Sequence, residues 1–417
     1  MVELKARADC ASQHLLPRSA FLNAWRSKPF LHFMWGSLIS RVGDWMDLTA
    51  MNWAILQWTH SPLALGAVNA CRLLPALLCG LPAGVLADRM NRRQLLLLLQ
   101  TGIMLLSLLL FFLFLQQVHL GAVLVGIAAR SALQTMEPIV RNALFPNLVT
   151  KEAVPSAIAA NVAVLNLSRI IGPAVAGTLM LYMEPEMLIL LNGLSTPVVL
   201  WSLLLLPRTA DASASRMAQE TSSGLGEAFR YIRSHPVVLS LLWLAVVPMV
   251  FLFPYTSMLP VFARDLLKVG PESFGALLSM SAAGALTGSL WLSFGRPIRR
   301  TGLWLLGSIV MCGLGLLCFL FSSFFWQALA SMYAVGLFSQ IYRTMSRITL
   351  QMQVDDRLRG RLLSIALMDR GFIPLGALLF GAVAEWANAL AAGLAMAAGC
   401  IVVTLLVGGV HREIRTM

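Results

Sequence analysis

The sequence predicts an all-α integral membrane protein with twelve transmembrane helices in two six-helix halves. Of its 417 residues, 58% are hydrophobic and only 12% are charged, and the mean hydropathy is +0.77. Soluble domains usually carry about 25% charged residues. Apolar runs long enough to cross a bilayer as helices recur from Phe30 to Val410, whereas barrel strands need only about 9 to 11 residues. The runs therefore predict helices rather than strands.

The segments are separated by short turns, apart from one connection of roughly thirty residues after Leu206. We expect a cytoplasmic tail (1–29), a first bundle (30–206), a cytoplasmic linker (207–236), a second bundle (237–410) and a cytoplasmic tail (411–417). The twelve predicted segments begin near Phe30, Leu63, Leu95, Leu120, Pro155, Met187, Val237, Ser273, Gly302, Trp326, Leu362 and Ala389.

The basic residues predict the orientation of the chain. Of 31 Lys and Arg residues, 24 lie in the two tails and the even-numbered turns, and the odd-numbered turns carry only Arg264 and Lys268. Lys and Arg accumulate on the cytoplasmic side of membrane proteins, so both termini are expected in the cytoplasm. The net charge of +12 is thereby explained by topology, and no nucleic-acid partner is expected.

Two loops repeat at nearly one offset, which predicts an internal duplication. A shift of 207 residues places Arg89, Arg92 and Arg93 on Arg296, Arg299 and Arg300. A shift of 206 residues places Arg141 on Arg347 and Leu144 on Leu350. Parallel repeats of this kind place a substrate site between the halves near the bilayer midplane.

The chemistry-bearing residues exclude several classes of protein. The six cysteines are scattered, without a CxxC or Cys/His cluster, so neither a metal site nor a disulfide framework is predicted. The six histidines never form HxxxH, which disfavours an intramembrane enzyme. No GxxxxGK[ST] loop is present, so the chain is not expected to use ATP or any other cofactor.

The stretch "GVLADRMNRR" resembles the signature of the loop between spans 2 and 3 in the major facilitator superfamily. Gly84, Asp88, Arg89, Arg92 and Arg93 match the signature. The resemblance implies that Asp88 meets Arg141 of span 4 and the N-terminus of span 11. Together they would form a conformational latch between the halves.

Asn91 replaces a glycine of that signature. We expect the turn to survive because Asn tolerates a positive φ better than other residues with a side chain.

The stretch "SRIIGPAVAG" in span 5 resembles the antiporter motif of the same superfamily, which is associated with exporters. Ser168, Gly172, Pro173 and Gly177 carry the resemblance, with Ser168 in place of a glycine. Close packing of small residues is the alternative explanation. Further stretches, "HPVVLSLLW", "GRLLSI" and "MEPIVRNALFPNLV", are similar to the branch that contains the enterobactin exporter and macrolide-type efflux permeases.

Ionisable residues inside spans are energetically unfavourable, so each is a candidate for ion coupling or substrate binding, with a structural ion pair as the alternative. We expect Glu137 to pair with Arg141 four residues later. The candidates are Arg41, Asp44, Asp47, Arg72, Arg130, Glu137, Arg169, Asp369 and Arg370.

Proton coupling needs a carboxyl that is neutral in one state and charged in another. Burial disfavours the charged form of the carboxyl, and a nearby arginine favours that form. Movement of the arginine can therefore switch the carboxyl between its neutral and charged forms. Asp44 is the first choice for this carboxyl and Asp47 the second. Arg41, Arg72 or Arg130 would be the moving partner.

The sequence therefore predicts a proton-driven exporter of small, partly hydrophobic molecules, monomeric in the lipid bilayer of the bacterial inner membrane. One alternative is an exporter of narrow specificity for a siderophore or a lipid-like metabolite. Another is a transport fold that acts as a sensor, although such proteins usually lose the latch.

Overall fold

The computed structural model describes residues 28–144, 148–150, 153–204, 231–294, 300–354, 368–411, 413 and 415. This part of the chain is helical and contains no strand, which confirms the all-α prediction. Residues 1–27 of the predicted N-terminal tail and residues 207–230 of the predicted linker lie outside it.

Six helices form the first bundle in the order in which the segments were predicted. Each apolar run gives one continuous helix, and the turns between helices are short. The helices are α1 (Lys28–Thr59), α2 (Pro62–Arg89), α3 (Arg92–Leu115), α4 (Leu120–Leu144), α5 (Val154–Leu179) and α6 (Pro185–Leu204).

Two of the segments in the second bundle are interrupted, the seventh by a break and the eleventh by a short 3-10 helix at its start. The elements are α7 (Pro236–Phe251), α8 (Tyr255–Asp265), α9 (Pro271–Phe294), α10 (Thr301–Leu320), α11 (Phe325–Gln353), the 3-10 helix (Met368–Gly371), α12 (Phe372–Trp386) and α13 (Ala389–Val410).

Prolines explain the break in the seventh segment. Pro254, which cannot donate a backbone hydrogen bond, is the N-cap residue directly before α8. Phe253 N–H closes a wide turn onto the Pro248 carbonyl at 2.8 Å. Together α7 and α8 give one apolar stretch of 30 residues, Pro236–Asp265.

Within the described residues, seven stretches are long and apolar enough to cross a membrane. Helix α12, with 15 residues, is a shorter apolar helix. Helices α1, α2, α4 and α11 each have 25 or more residues and carry arginine along their length.

The turn between α2 and α3 differs from the expectation. Asn91 has φ −60°, so the predicted positive φ is wrong. Its side-chain oxygen instead accepts a hydrogen bond from Gln94 N–H at 3.0 Å and caps the N-terminus of α3. Asn91 thus supplies a side-chain cap that a glycine at this position could not provide.

Helix packing repeats between the first six and the last seven helices. Helix α2 packs on α4 as α9 packs on α11, and α3 packs on α6 as α10 packs on α13. The main contacts between the two bundles are α2 with α12 and α5 with α9. The two bundles therefore share this pattern of helix contacts.

The two bundles are joined at the end of the molecule that carries Ser61, hereafter the Ser61 end. Glu385 of α12 accepts hydrogen bonds from Ser61 Oγ at 2.7 Å and Leu63 N–H at 3.3 Å. Trp53 stacks on Phe274 with ring centroids 5.8 Å apart. The opposite end, with Asn91 and its neighbouring arginines, is the arginine-rich end that the charge distribution assigns to the cytoplasm.

Candidate functional site

The candidate site is a cluster of charged side chains in the first bundle, where α1, α2 and α4 meet. Asp44 lies near the middle of the 32-residue helix α1, roughly 23 Å from either end at 1.5 Å per residue. Asp44 is therefore at mid-depth of the bundle, and the cluster extends from there to Arg141 in the last turn of α4. Its members are Arg41, Asp44, Asp47, Arg72, Arg130, Glu137 and Arg141.

The most buried part of the cluster is the ion pair between Asp47 and Arg130. Both side chains are at most 2% exposed. The two guanidinium nitrogens of Arg130 donate to the two carboxylate oxygens of Asp47 at 3.0 and 2.5 Å, and one also donates to Ser107 Oγ at 3.3 Å. The pair ties α1 to α4 with a bidentate geometry, the strongest arrangement available to an arginine and a carboxylate.

A second pair joins Glu137 and Arg141 on α4, as predicted from their spacing of four residues. Arg141 also donates to Ser37 Oγ of α1, and its guanidinium lies 5.3 Å from the centroid of the Phe33 ring. Gln100 of α3 donates to Glu137 at 3.3 Å. Arg141 is buried inside α4 and engaged with these groups, although the sequence placed it in a cytoplasmic turn.

Asp44 stands apart from these pairs. No arginine nitrogen lies within 4.0 Å of its carboxylate among the described residues. It is partly exposed and within electrostatic range of Arg41 and Arg130. Asp47, the second choice from sequence, thus makes the direct pair with Arg130, and Asp44, the first choice, remains available to titrate.

Among the described residues, Arg41 and Arg72 are the arginines of this cluster that make no direct ion pair. Arg72 of α2 lies within electrostatic range of Asp44 and Asp47. Within the described part of the chain, Nε of Arg41 and Nη1 of Arg72 are buried and have no hydrogen-bond partner.

Uncharged polar groups extend the cluster. Asn69 of α2 donates to Asn52 of α1 at 2.9 Å. Sequence analysis did not find Ser37, Gln100 and Ser107. Single Ser and Gln residues in apolar helices are common packing residues, so the pattern around these three does not mark them as part of a site.

Other candidates lie outside this cluster. Arg169 of α5 lies over the Trp45 ring at 5.7 Å, a cation–π contact rather than an ion pair. Asp369 lies in the 3-10 helix before α12 and is partly buried, and the side chain of Arg370 is outside the described residues.

The span 5 motif lies where three helices approach each other. A Cβ at Gly172 would come 2.9 Å from the Val42 carbonyl of α1, and one at Gly177 would come 2.9 Å from the Glu272 carbonyl of α9. Ser168 is fully buried and Pro173 lies inside α5. The small residues therefore permit close packing within the first bundle and against the second.

The loop motif is only partly described. Helix α2 contains Gly84 and ends at Arg89, but the side chains of Asp88 and Arg89 are outside the described residues. Arg93 donates hydrogen bonds to the carbonyls of Leu203 and Leu204 at 3.0 and 2.8 Å and thereby caps the C-terminus of α6. Arg92 lies in the first turn of α3. The latch stays a prediction.

The described residues contain no group of three or more His, Cys, Asp or Glu that could bind a metal ion. The cluster consists of carboxylates and guanidinium groups, which can exchange ion-pair partners and bind a proton or a charged ligand.

Long apolar helices in two similar bundles, with charges buried at mid-depth, define a membrane transporter of the major facilitator superfamily. Within it, the chain belongs to the transmembrane secretion effector family, whose model matches residues 20–415. This confirms the resemblance found in the sequence, and the family is one of transporters rather than enzymes.

Relatives and solved structures agree with this assignment. The chain is 27% identical to the staphyloferrin A transporter of Staphylococcus aureus over 390 residues, 92% of this chain and 96% of that protein. It is 22% identical to macrolide efflux protein A of Streptococcus pyogenes over 302 residues, 70% and 73% of the two chains. A bacterial homologue of the human lysosomal transporter Spinster shares the fold with a TM-score of 0.72 and 15% identity over 94% of this chain and 98% of that one.

Proposed function

We propose that this protein is a secondary-active exporter of small, partly hydrophobic molecules, driven by protons, in the bacterial cytoplasmic membrane. It works as a monomer without a cofactor, with both termini in the cytoplasm and twelve spans. The observation that carries the proposal is Asp44, a carboxyl without a direct ion pair, beside the buried pair of Asp47 and Arg130.

This arrangement gives a physical route to proton coupling. A buried ion pair is stable only while its geometry is excellent, so relative movement of α1 and α4 separates Asp47 from Arg130. Arg130 can then approach Asp44 and favour its charged form, so that Asp44 releases a proton, while Arg72 lies within electrostatic range of Asp47. Proton binding and helix movement are thereby linked.

Alternating access supplies the movement. The two bundles meet through α2 with α12 and α5 with α9, and their described hydrogen bonds at the Ser61 end close that side. We propose that a latch of Asp88, Arg89, Arg92 and Arg93 closes the arginine-rich end in the state in which the Ser61 end is open. The resemblance of span 5 to the antiporter motif supports export.

A second candidate is an exporter of narrow specificity for a siderophore. The relative named as a staphyloferrin A transporter aligns over 92% of this chain, more than the 70% covered by the macrolide efflux protein. A sensor role is less well supported, because the residues of the latch are present in the sequence.

The test is substrate-dependent proton movement in proteoliposomes, with wild type beside Asp44→Asn and Asp88→Asn. The panel contains staphyloferrin A, a macrolide and dyes. We expect at least one compound to move against protons in wild type, with coupling lost in Asp44→Asn. If no panel member moves protons, proton-driven export loses its support. If Asp44→Asn retains full coupling, Asp44 is not the coupling residue.

A further inference from the structure

We infer that the site binds organic anions, with Arg41 and Arg72 contacting carboxylate groups of the transported molecule. This inference rests on the proposed transport function and names the substrate class of the same site. It is carried by the balance of charge in the cluster and by the two guanidinium groups that lack a direct ion pair.

The charge balance of the cluster is positive. Four arginines face three carboxylates, and two of the carboxylates are already bound, Asp47 by Arg130 and Glu137 by Arg141. Asp44 alone remains for both Arg41 and Arg72, and it makes no direct contact with either within 4.0 Å among the described residues. When Asp44 takes up a proton, the excess of positive charge grows by one.

Such an excess is unstable at mid-membrane depth. A guanidinium in an apolar surrounding needs an anion or a set of hydrogen-bond acceptors, because desolvation is otherwise uncompensated. Nε of Arg41 and Nη1 of Arg72 are buried without an acceptor in the described part of the chain. Both side chains are partly exposed as a whole, so a ligand can reach them.

The geometry of the two groups favours carboxylates. A planar guanidinium presents a fork of N–H donors that matches the two oxygens of a carboxylate, and Arg130 already binds Asp47 in this way. Arg41 and Arg72 project from different helices and both lie within range of Asp44. We therefore expect a molecule with one or more carboxylates to contact both arginines.

The inference also predicts that anion binding depends on pH. An organic anion and the negative charge of Asp44 compete for the same two arginines. Protonation of Asp44 strengthens anion binding, and release of that proton weakens it. Anion binding should therefore tighten as Asp44 is protonated, a readout of the site that is separate from the direction of transport.

The experiment measures equilibrium binding to the full-length protein in nanodiscs by fluorescence anisotropy. The probes are carboxyfluorescein and an esterified cationic rhodamine, which share a three-ring skeleton and differ in the sign of their charge. Citrate serves as an unlabelled competitor at millimolar concentration. We expect saturable binding of carboxyfluorescein, displacement by citrate, and weaker binding of the rhodamine.

Variants assign the binding to the two arginines. Arg72→Gln and Arg41→Gln should each weaken carboxyfluorescein binding about tenfold or more, as expected for loss of one charge-assisted hydrogen bond. Arg72→Lys should retain the preference for the anion because it keeps the charge. The control is Arg347→Gln, the same change at an exposed arginine of α11, which should bind as wild type does.

Three outcomes would overturn the inference: tighter binding of the rhodamine, no saturable binding of carboxyfluorescein, or unchanged affinity in both glutamine variants. These outcomes are separable from failure of the proposed function. Proton-coupled transport of cationic or neutral compounds without anion binding refutes only the substrate class. Anion binding without proton movement refutes only the coupling.

Discussion

The two halves differ at one pair of positions that are related by the offset of 206 residues. Helix α4 has Arg130 at this position and helix α11 has Gly336. The same offset relates Arg141 to Arg347. Arg130 is 1% exposed and binds Asp47 of α1. Gly336 lies so close to α9 that a Cβ there would come 2.7 Å from the carbonyl carbon of Ser281.

The difference teaches that the two proposed halves are stabilised in different ways. The first half has buried charges that must remain paired, an arrangement suited to switching between partners. The second half contributes most of the largest hydrophobic cluster and packs α9 on α11 through glycine. We expect the contact of α9 with α11 to be rigid, since close packing has few alternative arrangements.

The largest effect is expected from breaking the buried pair. Arg130→Met leaves the Asp47 carboxylate buried without a cation, which should lower the free energy of unfolding by about 3 to 5 kcal/mol. Equilibrium unfolding of the purified protein in mixed micelles measures this change. The double variant Asp47→Asn with Arg130→Met should recover much of the loss in stability but not transport. If the double variant is no more stable than Arg130→Met, the pair is not the source of the effect.

A smaller effect is expected at the equivalent position of the second half. Gly336→Ala places a methyl group against the Ser281 backbone and should lower the free energy of unfolding by about 1 to 3 kcal/mol through overpacking. The matched control is Gly307→Ala in α10, where a Cβ has no neighbour within 4 Å. Similar stability of the two variants in the same unfolding assay would show that α9 and α11 separate easily, against the proposed rigidity.

The smallest effect is expected at the Ser61 end, where the two halves meet. Glu385→Gln weakens hydrogen bonds to Ser61 and Leu63, and because Glu385 is exposed the conformational equilibrium should shift by less than about 1 kcal/mol. We expect a modestly larger population open at this end, measured by distances between spin labels on the two halves. Glu184→Gln, at an exposed glutamate outside this contact, is the control. An unchanged distance distribution in Glu385→Gln would mean that this contact does not stabilise closure.

The sequence was sufficient for features that depend on local spacing. The apolar runs predicted the helices, and the spacing of four residues predicted the pair of Glu137 and Arg141. The small residues of span 5 predicted close packing, which Gly172 and Gly177 provide.

Features that depend on helix rotation and long-range contact could not be predicted. Asp44 and Asp47 differ by three residues and share one side of α1, so only the orientation of α1 toward α4 decides which of them meets Arg130. The contact of Ser61 with Glu385 joins residues that are 324 positions apart in the chain. The sequence also suggested a positive φ for Asn91, where the side chain acts as a helix cap instead.

The measurement that tests the central claim most directly compares acids of the two halves in one proton-coupled transport assay. Proteoliposomes with wild type, Asp44→Asn, Asp47→Asn and Asp369→Asn are supplied with the same transported compound, and protons moved per substrate are counted. The account predicts that Asp44→Asn and Asp47→Asn lose proton coupling while Asp369→Asn, in the second half, retains it. Loss of coupling in Asp369→Asn alone would contradict the account, because the charged cluster of the first half would then not carry the proton.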